Sequence, residues 1–212
     1  MMPPYLLTGF RLALSAGSDF CFAATFLITW FAPYTFGEKA VSNLMFVMLI
    51  EFVVVLTTGF LGGIASRDDT KRNRLFMYLM IGGTCTLFAG GFALAFGAAW
   101  PFFAFLLLVA GKYSQVVLQP PDFDGQFRLM ATWAAMTVLY LSGTFLSVGM
   151  EWPVHGVTPD VVAAQGFETG GEWMEHPHTV LVFGAYYFTG LGVLALLNEL
   201  LALWRGAQHA KA

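Results

Sequence analysis

The sequence predicts an all-α integral membrane protein, a bundle of six transmembrane helices with the N- and C-termini in the cytoplasm. Hydrophobic residues make up 58% of the 212 residues, and charged residues only 11%, where soluble domains carry about 25%. The mean hydropathy is +0.69. The apolar residues also form continuous runs, and each run is long enough to cross a hydrocarbon core of about 30 Å as a helix.

Continuous apolar runs favour helices over the alternating strands of a membrane barrel, because a helix satisfies its backbone hydrogen bonds within one segment. The first run contains Asp19, the second has Glu51 near its middle, and the fourth has Lys112 near its end. The N-terminal segment lacks the layout of a signal peptide, so we expect the first run to be a retained span. The predicted spans are residues 12–31, 40–65, 75–98, 100–118, 127–149 and 179–204.

The basic residues predict the orientation of these spans. With the N-terminus inside, every Lys and Arg except Lys39 falls at a cytoplasmic end, as the positive-inside rule requires. Aromatic residues near the span ends, Trp30, Tyr34, Trp100 and Trp152 outside and Tyr5 and Trp204 inside, fit an aromatic belt. The cytoplasmic basic residues are Arg11, Arg67, Lys71, Arg72, Arg74, Lys112, Arg128, Arg205 and Lys211.

We expect one domain over residues 1–212, within which residues 150–178 form an acidic extracytoplasmic loop. The loop holds no Lys or Arg and contains a stretch suited to a short helix. Pro177 favours the start of the last helix, because proline is well suited to the first helical position.

Glycines at helical spacing predict where the helices pack. In lipid, helices associate through close packing of their backbones rather than through the hydrophobic effect, and small residues allow that packing. We interpret these stripes as seams between helices of the same chain, with a homodimer contact as the alternative. The residues are Gly59 and Gly63, Gly83, Gly90 and Gly97, Gly143 and Ser147, and Gly184 and Gly192.

Glu51 is the clearest polar residue within a predicted span. An ionisable group at the centre of a membrane helix costs about 2.5 to 3.5 kcal/mol on insertion scales, so it calls for a partner or a function. One interpretation is a group that carries a proton or a cation. The other is a neutral acid that hydrogen-bonds a neighbouring helix, for which the hydroxyls of Tyr140 and Tyr186 lie at comparable depth.

Asp19 and Lys112 form a second predicted polar pair. Counting residues from the span ends puts both roughly 10 Å inside the inner surface, which predicts an ion pair between the first and fourth helices. A substrate site lined by the two residues is the alternative, and Lys112 can also extend its ammonium to the headgroups.

All four histidines lie at span ends or outside the spans, so a haem held by two histidines between the helices is excluded. Glu172, Glu175, His176 and His178 lie within seven residues, and carboxylates and imidazoles together ligate zinc, copper or manganese. The sequence therefore predicts a candidate divalent-metal site in the outer loop. The alternative is an interfacial loop whose Trp152 and Trp173 contact headgroups.

Three functions follow from these patterns. No metalloprotease, P-loop or serine-hydrolase motif occurs, and 10 basic against 13 acidic residues exclude a nucleic-acid binder. The leading hypothesis is a non-catalytic accessory subunit or scaffold that contacts the bilayer and other membrane subunits or copies of itself. The alternative is a small-solute or ion-coupled transporter that uses Glu51, Asp19 and Lys112, and the third is an outer-face metal-binding protein. Runs 46–63 and 176–197 resemble bacterial inner-membrane proteins in general character, which implies that location.

Overall fold

The computed structural model describes residues 4–65, 71–95, 99, 102–103, 105–106, 123–167 and 171–209. These residues form helices and loops and contain no strand, so the predicted all-α class is confirmed for them. The helices are α1 (Pro4–Phe31), α2 (Ala40–Ala65), α3 (Lys71–Ala95), α4 (Phe123–Gly149), α5 (Pro159–Gln165), α6 (Glu172–Glu175) and α7 (Pro177–His209).

Four helices are long and apolar enough to cross a membrane, which supports the prediction of a membrane protein. They contain the stretches Ala40–Phe60, Leu75–Leu94, Gly125–Gly149 and Pro177–Leu201. In α1 the stretch Ala16–Phe31 is apolar but shorter. The predicted fourth span, 100–118, lies outside the described residues except for 102–103 and 105–106, which are helical.

The helix ends follow local sequence rules. Pro177 is the first residue of α7, as predicted. In α5, Thr158 is the N-cap, Pro159 follows it, and Gly166 ends the helix at φ 70°, where a residue without a β-carbon is favoured. The loop predicted at 150–178 therefore contains two short helices, α5 and α6, rather than one.

The chain divides into two compact units. The terminal unit comprises Met1–Val41 and Leu141–Ala212, and the central unit comprises Ser42–Tyr140. The unit boundaries fall inside α2 and α4, so each of these helices contributes residues to both units.

Glycine seams join α1 and α7 in the terminal unit. The ring of Phe26 lies over Gly184, and the ring of Phe20 lies 2.9 Å from where a β-carbon of Gly192 would be. Phe22 stacks on Phe188 of α7 with ring centroids 5.0 Å apart. The predicted packing role of Gly184 and Gly192 is confirmed, because each leaves room for a phenylalanine of α1.

Other predicted seams have mixed outcomes. In the terminal unit, Gly143 of α4 lies against Phe183 of α7, and in the central unit Gly59 of α2 lies against the indole of Trp133. In α3, a β-carbon built on Gly90 lies 3.6 Å from the ring of Phe102, whereas Gly97 lies outside the described residues. At Gly63 and Gly83, a built β-carbon meets no described heavy atom within 4 Å.

Candidate functional site

Glu51 lies in the most apolar of the candidate spans, in the central unit, and is half-buried. The residue before it, Ile50, belongs to an apolar cluster in which α2 packs against Cys85 and Ala89 of α3 and against Phe105. Glu51 is therefore a carboxyl group at the edge of a hydrocarbon-like core, where an ion is poorly solvated.

Tyr140 of α4 is a polar neighbour of Glu51. Its hydroxyl donates a hydrogen bond to the backbone carbonyl of Met48, one turn before Glu51, at 2.9 Å. Its ring contacts Phe52 with centroids 5.8 Å apart, and its hydroxyl interacts electrostatically with Glu51. The structure thus brings together two of the predicted intramembrane site residues, Glu51 and Tyr140.

The other predicted intramembrane residues have separate environments. Tyr186 of α7 lies in the terminal unit, where its hydroxyl shares a hydrogen bond of 2.9 Å with Ser142 of α4. Asp19 lies half-buried on α1 in the same unit. Lys112 lies outside the described residues, so its predicted ion pair with Asp19 stays a prediction.

The largest connection described between two long helices links α4 to α7. We call it the cap segment, and it comprises residues 150–167 and 171–176. Three tryptophan indole N–H groups attach it within the terminal unit. Trp30 of α1 donates to the Pro153 carbonyl at 3.0 Å, and Trp152 donates to the Leu146 carbonyl at 2.9 Å. Trp173 donates to the Ser147 hydroxyl at 3.2 Å. The sequence predicted aromatic residues at a membrane interface, but it did not reveal these partners.

Lys39 also holds the cap segment. Its ammonium donates to the carbonyl of Gln165 at 2.7 Å, at the C-terminal end of α5, and the Gln165 amide donates to the carbonyl of Glu38 at 2.9 Å. A cation at a helix C-terminus is favoured by the helix dipole and by the unpaired carbonyls there. The one basic residue that departs from the predicted charge asymmetry therefore has a structural role.

His155 occupies a tight turn of the cap segment. Its φ is 46°, in the left-handed region that residues with a β-carbon rarely adopt. Its ring lies 4.7 Å from the ring of Trp30 and 4.5 Å from that of Phe31, measured between centroids. The next residue, Gly156, donates its backbone N–H to the Trp30 carbonyl at 3.0 Å. Ring packing and this hydrogen bond together hold the turn in its conformation.

The residues of the predicted metal site are only partly close together. The nitrogen Nε2 of His176 lies 3.9 Å from Oε1 of Glu172, and both side chains are more than half exposed. The His176 and His178 rings have centroids 5.9 Å apart, but His178 is buried and hydrogen-bonds the backbone of Trp152. Glu175 is exposed. Within the described ranges, no group of three or more His, Cys, Asp or Glu side chains is arranged to hold a metal ion.

Comparison with known proteins gives no match for this chain among protein families, curated proteins or solved structures.

Proposed function

We propose that this chain is a non-catalytic accessory or structural subunit of a complex in the bacterial inner membrane. One observation carries the proposal: three indole N–H groups and the Lys39 ammonium are all engaged in attaching the cap segment to neighbouring backbone and hydroxyl groups. A segment attached in this way keeps its shape before a partner arrives, and preorganisation lowers the cost of binding. On the orientation predicted from the basic residues, its free surface faces the extracytoplasmic side.

The charge of that surface favours a partner different from the chain itself. Four acidic side chains of the cap segment are exposed, and the ammonium of Lys39 is engaged with backbone carbonyls. Two copies meeting through this face would bring like charges together, whereas basic residues on another subunit would complement it. The four acidic residues are Glu151, Asp160, Glu172 and Glu175.

Native mass spectrometry of the untagged chain, extracted gently from its own membrane, tests the subunit proposal. We expect the chain to appear bound to other membrane subunits. As a control, the same extraction must keep known membrane complexes intact. If the chain then appears alone or only as a homo-oligomer, the proposal is contradicted.

Charge-neutralising variants test which surface the partner uses. We expect the combined substitution of Glu151, Glu172 and Glu175 by glutamine to reduce the amount of co-purified partner, because electrostatic complementarity across the interface is lost. Glu199→Gln, near the other end of α7, is the matched control and should retain the partner. Equal retention by both variants would exclude the acidic face as the docking surface.

The proposal includes six spans with both termini in the cytoplasm. Five of these spans are supported by the four long apolar helices and by the apolar part of α1. The apolar run 100–118 would be the sixth. A fluorescent protein that matures only in the cytoplasm, fused after Ala212, should fluoresce. A fusion within the cap segment should be dark, and the reverse pattern would contradict this orientation.

A second candidate function is ion-coupled transport of a small solute. The observation that favours it is the position of Glu51 in the most apolar candidate span, next to the Tyr140 hydroxyl. Asp19 and Lys112 are the further residues that the sequence assigns to this function. Proteoliposomes with a trapped pH-sensitive dye should then show proton flux that Glu51→Gln lowers to the level of protein-free liposomes, while Glu199→Gln retains it. No flux in the unsubstituted protein would contradict transport driven by a proton gradient.

A third candidate is divalent-metal binding by the cap segment. The 3.9 Å approach of Glu172 to His176 favours it, because the two side chains offer an oxygen and a nitrogen ligand. Elemental analysis of protein purified without a histidine tag tests it. Stoichiometric zinc, copper or manganese that is lost in His176→Asn would support the site, and metal-free protein after equilibration with each ion would exclude it.

A further inference from the structure

The connection between α1 and α2, residues 32–39, begins with an uncharged and exposed stretch. No Asp, Glu, Lys or Arg occurs between Asp19 and Glu38, so the uncharged sequence continues beyond the end of α1. Three aromatic rings at this point are exposed: Phe31 at 57%, and Tyr34 and Phe36 at 52% each. We call these three residues the turn aromatics. Large apolar side chains gathered at an exposed surface mark a contact with a protein or a membrane.

The backbone of this connection is hydrogen-bonded within the chain. The N–H groups of Ala32, Thr35 and Gly37 donate to carbonyls three or four residues earlier, at 2.7, 3.1 and 3.1 Å. Pro33 has no N–H group to satisfy. A segment that leaves water must pair its backbone groups internally, because lipid offers them no partners. The connection therefore meets a condition for contact with lipid that an open loop does not meet.

The cap segment holds the connection in place from one side. Pro33 is buried, and a β-carbon built on Gly156 of the cap segment would lie 2.8 Å from its Cδ atom. The ring of His155 lies 4.5 Å from that of Phe31, measured between centroids. The turn aromatics thus stay exposed on a connection that is packed against the rest of the terminal unit.

The surface of α1 that leads to the connection favours lipid as the occupant. Leu27 and Ile28, in the last turns of α1, are exposed at 41% and 43%. The exposed apolar surface therefore runs from the helix to the turn aromatics without a charged residue between them. Where the lipid-facing surface of a membrane helix ends, aromatic rings with a polar tip, such as that of Tyr34, are typical of the headgroup level.

The tryptophans of the terminal unit are engaged elsewhere. The sequence predicted that Trp30 and Trp152 belong to an outer aromatic belt, in which an indole N–H usually lies among the headgroups. In the structure, the N–H groups of Trp30, Trp152 and Trp173 all donate to acceptors of the protein. The exposed rings available for the membrane interface at this end of α1 are the turn aromatics.

We propose that Phe31, Tyr34 and Phe36 insert into the boundary between headgroups and acyl chains, in the leaflet on the side of the cap segment. On the orientation predicted from the basic residues, this is the outer leaflet. The inserted rings fix the depth of the terminal unit in the membrane. The proposal concerns lipid alone, so it holds for a subunit and for a transporter, and native mass spectrometry can fail without affecting it.

Spin-label electron paramagnetic resonance of the purified full chain in lipid nanodiscs measures the depth of the connection. A single cysteine for the label replaces Phe36, Ile28 or Asp160 in a chain that carries Cys21→Ala and Cys85→Ala. Oxygen concentrates among the acyl chains and a nickel chelate stays in water, so the ratio of their effects on the label reports depth. We expect the ratio at position 36 to lie clearly above that at exposed Asp160 of α5 and below that at Ile28.

The two other outcomes of this measurement contradict the proposal. A ratio at position 36 equal to that at position 160 would place the connection in water. A ratio equal to that at position 28 would place the ring among the acyl chains and would overturn the proposed depth.

Photocrosslinking in the native membrane distinguishes lipid from a protein partner and retains both native cysteines. The photoreactive amino acid p-benzoyl-phenylalanine replaces Phe36, and in the matched control it replaces Asp160. After irradiation, we expect mass spectrometry to find a lipid adduct at position 36 and none at position 160. A protein adduct at position 36 would assign the surface to another subunit or a second copy and overturn the proposal, as would the absence of a lipid adduct there. If the cysteine-free chain does not fold, this experiment decides alone.

Discussion

The ring of Phe26 in α1 lies over the backbone of Gly184 in α7, in the volume that a β-carbon on the glycine would occupy. Phe26 is fully buried there, and it also contacts Phe188 of α7 with ring centroids 5.6 Å apart. The two helices approach closely at this point because one of them has no side chain. In a bilayer, such packing is a principal source of helix association.

This contact predicts the effect of a bulky residue at position 184. Gly184→Leu must displace Phe26, and we expect a loss of about 1 to 3 kcal/mol, the usual cost of overpacking a filled core. Gly17→Leu on α1 is the control, because a β-carbon at Gly17 meets no described atom within 4 Å. Thermal unfolding in detergent, followed by tryptophan fluorescence, measures both. Equal midpoints would show that Phe26 does not fill the space over Gly184.

The hydrogen bond from Trp173 to Ser147 predicts coupling between these residues. Trp173→Phe keeps an aromatic ring near Phe183 but removes the indole donor, and Ser147→Ala removes the acceptor. We expect a coupling free energy of about 0.5 to 1.5 kcal/mol in a double-mutant cycle on unfolding. Trp30→Phe combined with Ser147→Ala should be additive, because the Trp30 bond goes to Pro153 instead. Additivity in both cycles would contradict the Trp173 bond.

The position of Lys39 predicts local opening of α5 when its charge is removed. Lys39→Met removes the donor at the carbonyl of Gln165, and we expect α5 to lose about 1 kcal/mol of local stability. Hydrogen exchange of the α5 amides should then be about fivefold faster, since 1 kcal/mol changes an equilibrium constant by about that factor. Glu38→Gln should leave exchange unchanged, because only the backbone carbonyl of Glu38 is bound. Unchanged exchange in Lys39→Met would show that Lys39 does not cap α5.

The positive φ of His155 predicts an unusual order of stability between two small replacements. His155→Gly and His155→Ala both lose the ring contacts with Trp30 and Phe31, but only glycine relieves the strain of the left-handed backbone. We expect the glycine variant to be more stable by about 1 kcal/mol. At the exposed neighbour Val154, which has no positive φ, alanine should be at least as stable as glycine. Chemical unfolding of the four variants compares glycine with alanine at each position. If His155→Ala is more stable than His155→Gly, the left-handed backbone at His155 is contradicted.

Several features of the fold could be predicted because they depend on a short stretch of chain. Hydropathy located α2 and the apolar parts of α3, α4 and α7, and Pro177 located the start of α7. The glycine spacing in α7 predicted a packing face, which Phe20 and Phe26 occupy. Glu51 could be identified as a candidate site residue because a carboxyl group in so apolar a helix costs free energy whatever the helix packs against.

The partners of these residues could not be predicted in the same way. Trp133 is absent from the predicted aromatic belt, and its indole fills the space over Gly59. Lys39 departed from the predicted charge asymmetry, and its ammonium binds the end of a helix more than 120 residues away in the chain. Gly59 and Gly63 belong to one motif, yet a built β-carbon meets the Trp133 indole at Gly59 and no described heavy atom within 4 Å at Gly63.

The sequence by itself determined the helical class, the apolar stretches and the position of Glu51 within one of them, because hydropathy and backbone hydrogen bonding act within each segment. The tertiary structure decided which glycine receives a ring, which carbonyl Tyr140 binds and how the cap segment is attached. Those contacts depend on the rotation of each helix about its axis and on the path of the connections, which local composition leaves open. The hydrogen bond from the Tyr140 hydroxyl to the Met48 carbonyl is a product of that long-range arrangement.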